Sequence, residues 1–106
     1  MIPWTTPTMR FRIRGAGDID LATADSIVIT LVQTTVVMEL TGESVKGEGN
    51  RVSCILTQEQ SGRLQVGSAD VQINWTWTDA ETNAPRRGAT KVKTIQIDKQ
   101  LLKRVI

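Results

Sequence analysis

Chemistry at a protein site needs groups that give up a proton, hold a metal or attack a carbon, and this chain is short of them. Histidine is absent, which removes the commonest general base, the usual partner of a nucleophilic serine and the commonest metal ligand. The lone thiol, Cys54, sits in an alternating run with Val52 and Leu56 on its own face, the setting of a small core side chain rather than a nucleophile. Asp18 with Asp20, and Asp79 with Glu81, are carboxylate pairs in loop-like stretches, and neither carries the full oxygen set of a calcium loop. Gly15-Ala-Gly17 lacks the third glycine and following helix of a dinucleotide site, so it reads as a turn. Asn74-Trp-Thr76 matches a glycosylation sequon, discounted because no secretion signal precedes it. No catalytic residue, metal or cofactor is expected, and the chain reads as a binding or structural protein rather than an enzyme.

Two groups of residues could bind. Trp75 and Trp77 are two apart, so in a strand they face the same way, either as core or as a platform on which a sugar or base could stack. Their opposite face is uniformly polar (Gln72, Asn74, Thr76, Thr78) and the chain has few other bulky rings, so the core reading is taken. A carbohydrate-binding module using both rings is the alternative. Arg10, Arg12 and Arg14, with Lys91 and Lys93, could contact phosphates, but no recognised nucleic-acid motif accompanies them and nucleic acid is not expected as a partner.

The elements that would position these groups are strands. Val71 to Thr78 alternates strictly, with Val71, Ile73, Trp75 and Trp77 on one face. Met9, Phe11 and Ile13 alternate with Arg10 and Arg12. Ser26 to Gln33 is apolar on both faces, as a central strand would be, and Val36, Met38 and Leu40 then form either the return of a hairpin or the continuation of one bent strand. Arg51 to Leu56 places Val52, Cys54 and Leu56 inward. Thr57-Gln-Glu-Gln60 is a capping-box pattern, predicting one helical turn over 57–62 halted by Gly62, after which Leu64 and Val66 anchor the crossing. Asp79 to Gly88 reads as an exposed hairpin loop with Arg86 and Arg87 near its tip. In Thr90 to Ile97 the apolar residues fall out of phase, which predicts a bulge near Lys93 and Thr94. Asp98 is placed to cap a closing helical turn, with Lys103 and Arg104 at its C-terminal end.

The 106 residues suit a single domain, and 40% hydrophobic with 23% charged residues suits a soluble one with an ordinary core. No apolar run approaches the roughly 20 residues of a membrane helix, and a cytoplasmically made protein is expected. Charge is uneven: residues 1–14, 15–81 and 82–106 carry +3, −7 and +6. Basic ends around an acidic middle would polarise the surface toward an acidic partner. About seven short strands with one helical crossover predict an all-β fold, an immunoglobulin-like antiparallel β-sandwich spanning residues 1–106. A small closed barrel is the alternative.

Taken in order, Thr6-Pro-Thr-Met-Arg-Phe-Arg-Ile13, Asp25 to Gln33, Asn50 to Gln60 with its Leu56-Thr-Gln-Glu59, Val71 to Thr78 and the closing Leu101-Leu-Lys-Arg-Val-Ile106 resemble small proteins encoded among the tail and baseplate genes of phages and prophages of Gram-positive bacteria. That family is similar to the immunoglobulin-like N-terminal domain of the baseplate upper protein. The resemblance implies a virion structural protein, assembled in the bacterial cytoplasm, whose partners are other phage structural proteins or further copies of itself. It carries over no functional residues, and Trp75 with Trp77 and the Arg86-Arg87 pair depart from the family pattern. The residues expected to meet a partner are Arg10, Arg12 and Arg14, Arg86 and Arg87, and the apolar Leu101, Leu102, Val105 and Ile106, for which a monomer has little visible use.

Overall fold

The computed structural model describes residues 1–14 and 19–106, so the Gly15-Ala-Gly17 turn and Asp18 lie outside the described residues. Among the described residues eight strands form two antiparallel sheets: β1 (Thr8–Arg12), β2 (Ser26–Gln33), β3 (Val36–Leu40), β4 (Val45–Glu48), β5 (Arg51–Ile55), β6 (Gly67–Thr78), β7 (Pro85–Ala89) and β8 (Lys93–Ile97). One short helix, α1 (Gln58–Gly62), carries the chain from β5 to β6. The smaller sheet runs β1-β5-β4. The larger runs β3-β2-β6, with β7 and β8 both paired to the remaining edge of β6. The expected all-β sandwich is what forms, and β2 with β3 resolves as a hairpin turning at Thr34, whose φ is +53°. The strand order is its own. Here the second and third strands share a sheet, whereas the immunoglobulin arrangement puts them in opposite sheets.

β6 organises the larger sheet. Its 12 residues span about 40 Å, most of the 53 Å long axis. Ala69, Val71, Ile73 and Trp75 are buried at every second position, as the alternation predicts. β7 and β8 amount to one edge strand broken by a bulge: Asn74 pairs with Ala89 and Val71 with Lys93, so three steps along β6 meet four along its partner. The extra residue falls within Thr90–Val92, slightly before the predicted Lys93 and Thr94. Side chains supply hydrogen bonds across the break. Ile73 N–H donates to Thr90 Oγ1 at 3.1 Å, and Gln72 Nε2 donates to the Thr90 carbonyl at 2.9 Å.

The core lies between the sheets, where Met9, Val52 and Cys54 meet Ile29, Leu31, Met38, Leu40, Val71, Ile73 and Trp75. Beyond the reach of the smaller sheet, a second cluster of Leu64, Ala69 and Ile97 is closed off by Met1 and Val36. α1 forms as its capping box dictates: Gln60 N–H donates to Thr57 Oγ1, and Thr57 N–H donates to Gln60 Oε1. Gln33, at the inner end of β2, is buried but satisfied, since its side-chain amide bonds both the N–H and the C=O of Gln65.

Four expectations are corrected. Residues 98–106 form no helical turn: Asp98 N–H donates to the Met1 carbonyl and Gln100 Nε2 to the Pro3 carbonyl, so the segment runs along the N-terminal residues instead. Arg86 and Arg87 are not at a loop tip but in β7, opposite Trp77 and Thr76. Val66 is exposed, and Leu64 alone anchors the crossing. Trp77 shares a face with Trp75 but lies past the cover of the smaller sheet, and is 39% exposed where Trp75 is 7%.

Candidate interaction surfaces

At the β6 C-terminal end, the inner face of the larger sheet opens into a groove of about 500 Å³ walled by Ile19, Asp20, Leu21, Ala24, Trp75 and Trp77. The 3-10 turn Leu21–Thr23 forms its roof, held because Asp20 Oδ1 accepts from the N–H groups of Ala22 and Gly49, each at 3.1 Å. Trp75 lies against Gly88, its cross-strand partner: a Cβ built on Gly88 would stand 2.5 Å from Trp75 Cε2. The Trp75 indole N–H is buried and has no hydrogen-bond partner among the described residues. Of the two rings that a sugar-stacking platform would use, Trp77 is open and Trp75 is buried. Opposite Trp77, Arg86 reaches back to Asp79 at 3.5 Å. Asp79 also accepts from the N–H groups of Glu81 and Thr82, and these two backbone donors, with the Arg86 charge, hold its carboxyl below the ordinary value. Arg87 is on the other face, bonded through Nε and Nη2 to Asn74 Oδ1.

The arginines of β1 gather different company from that expected. Lys91 and Lys93 belong to the edge of the larger sheet, whereas β1 pairs with β5 and β5 with β4. On the outer face of this smaller sheet, Arg10 lies in a row with Ser53 and Lys46, and Arg12 in a row with Arg51 and Glu48. Arg14 lies just past the strand and is exposed. Sequence reasoning missed Lys46 and Arg51. Parity could have found Arg51 facing outward, since Val52 and Cys54 face inward, but only the register sets it and Lys46 beside Arg10 and Arg12.

At the opposite end, the segment after β8 leaves large apolar side chains in solvent: Leu101 is 86% and Ile106 79% exposed, with Leu102 and Val105 partly so. Polar bonds hold it to the body. The Gln58 side-chain amide accepts from Ile106 N–H at 2.9 Å and donates to its carbonyl at 3.1 Å, as a neighbouring strand would. Trp4, also missed from sequence, lies against Gly62 beside this segment, in a groove shared with Leu64, Val66, Gln100 and Lys103.

Cys54 is buried and free, and burial raises its thiol pKa, which suppresses the reactive thiolate. Among the described residues no group of His, Cys, Asp and Glu is arranged to hold a metal ion, and no helix is long and apolar enough to cross a membrane. Comparison with protein-family models, with curated proteins and with solved structures finds no match.

Proposed function

We propose that this chain is a non-enzymatic structural protein of a phage or prophage particle, an interaction module of the tail or baseplate that joins its neighbours through the segment 101–106. The observation that carries this reading is the exposed row Leu101, Leu102, Val105 and Ile106, large apolar side chains fastened to the sandwich by amide hydrogen bonds rather than by burial. Apolar surface left in water is the usual mark of a face awaiting a partner. The order of segments resembling phage tail and baseplate proteins supplies the setting, and the lack of histidine and of a reactive thiol agrees with a non-enzymatic role.

The test replaces Leu101 and Ile106 by serine, which leaves the core clusters intact, and follows both self-association by light scattering and incorporation into particles made by a phage carrying the variant gene. Incorporation is expected to fall by roughly tenfold, the equivalent of about 1.4 kcal/mol of lost contact. A strictly monomeric wild type whose serine variant enters particles at the normal level would remove the segment from assembly.

A further inference from the structure

We propose a second docking face, on the outer side of the β1-β5-β4 sheet, that takes an acidic surface of a partner protein. Arg12 and Arg51 are directly opposed across adjacent strands, one step from Arg10, Ser53 and Lys46 in the next row. Like charges so placed oppose pairing of the strands. Among the described residues the ion pairs are Met1 with Asp98 and Arg86 with Asp79, so none of these four cations has a carboxylate within pairing distance. Glu48 is opposite Arg51 in register yet forms no ion pair with it. The four side chains border a shallow hollow of about 450 Å³.

The partner's class follows from what surrounds the cations. The next row is Thr8 with Ile55, and Ile55 is 60% exposed, so the basic group ends against an apolar side chain instead of continuing as a stripe along which a phosphate backbone could run. Phe11 is among the residues around the hollow, but it is partly buried against the core and alternates with Arg10 and Arg12, so its ring lies on the opposite side of the strand from theirs, where a base stacked over the arginines would not meet it. Arginines beside an exposed isoleucine match a protein surface carrying Asp or Glu around an apolar spot, since the guanidinium fork binds carboxylates with two parallel hydrogen bonds and arginine is enriched at protein interfaces. The inference goes beyond the role of segment 101–106, because the two surfaces share no residue.

The test is a titration of the full chain, followed by amide NMR, with poly-L-glutamate as the probe and a short DNA duplex as the second arm. Poly-L-glutamate is expected to shift amides of β1, β4 and β5, with affinity that falls as salt rises. The double variant Arg12→Glu, Arg51→Glu is expected to weaken it by roughly tenfold or more, and Arg86→Glu with Arg87→Glu to leave it unchanged. Arg12→Thr with Arg51→Thr guards against misfolding of the charge-reversed protein. This variant should bind more weakly while melting higher at low salt, a combination that a merely structural pair of arginines would not give. Shifts confined to other strands, or binding unaffected by the two double variants at Arg12 and Arg51, overturn the proposal. Tighter binding of the duplex than of poly-L-glutamate at the same salt also overturns it, and assigns the face to nucleic acid. The Leu101→Ser, Ile106→Ser protein retains this binding if the two surfaces are independent, so either reading can fail without the other.

Discussion

Each end of the sandwich has a tryptophan lying against a glycine, and the two pairs secure different things. Trp75 and Gly88 are cross-strand partners, so the register of β6 with β7 delivers the ring to the only residue type that leaves room for it. Trp4 reaches Gly62, the last residue of α1, from a turn in which Trp4 itself has a φ of +65°, a backbone shape that costs a residue with a side chain about 1 kcal/mol or more. The ring of the first pair is buried in the main core. The ring of the second is half-buried, and the segment 98–106 passes beside it held by the amides of Gln58 and Gln100. The difference teaches that a tryptophan locked by sheet register serves the core, whereas one resting on a helix end borders a segment that keeps its apolar side chains in solvent.

Five substitutions would break or sharpen that contrast. Trp75→Ala should cost about 3–5 kcal/mol in urea unfolding, and Trp4→Ala distinctly less because its ring is only half-buried. Equal losses would make the two ends equivalent. Gly88→Ala forces a methyl group into the Trp75 ring and should cost about 1–3 kcal/mol. Gly62→Ala meets the Trp4 ring at 2.6 Å but should cost less, because the turn holding Trp4 can shift, and its clearest effect should be Trp4 emission moving toward that of a solvated indole. A larger loss for Gly62 than for Gly88 would reverse the assignment. The smallest effect is expected at Asp79, beside the register-locked end. Its pKa is lowered in the folded state, so its contribution is present above the ordinary value of 3.8 and fades as pH falls through the lowered one. Melting temperature followed from neutral to acid pH should therefore fall less steeply for Asp79→Asn than for wild type, and identical slopes would show that the Asp79 turn contributes nothing to that end.

How much of this was legible beforehand depends on whether the deciding interaction was local. Alternation placed Val71, Ile73 and Trp75 inward, and the Thr57 to Gln60 spacing built α1, because both are written within a few residues. The same parity put Trp77 inward as well, but parity says only which way a residue points. Whether anything covers it depends on where the second sheet stops. The company of Arg12 was hidden for a related reason: Arg51 is 39 positions away in sequence and becomes its neighbour only through the β1 to β5 register. Residues 98–106 carried the charges of a capped helical turn, yet an isolated turn must fix several dihedrals for its first hydrogen bond. Met1, Pro3 and Gln58 offer that stretch ready partners in an extended form.

The extra residue between Ala89 and Lys93 also bears on what the protein must not do. Without it, Pro85 to Ile97 would run as one straight border of about 40 Å, its free N–H and C=O groups a template onto which another chain could add strand upon strand. The bulge cuts that border into two five-residue pieces, and Lys91 and Lys93 put charge at the cut. An added chain thereby finds no continuous backbone template along this border from which a fibre could grow.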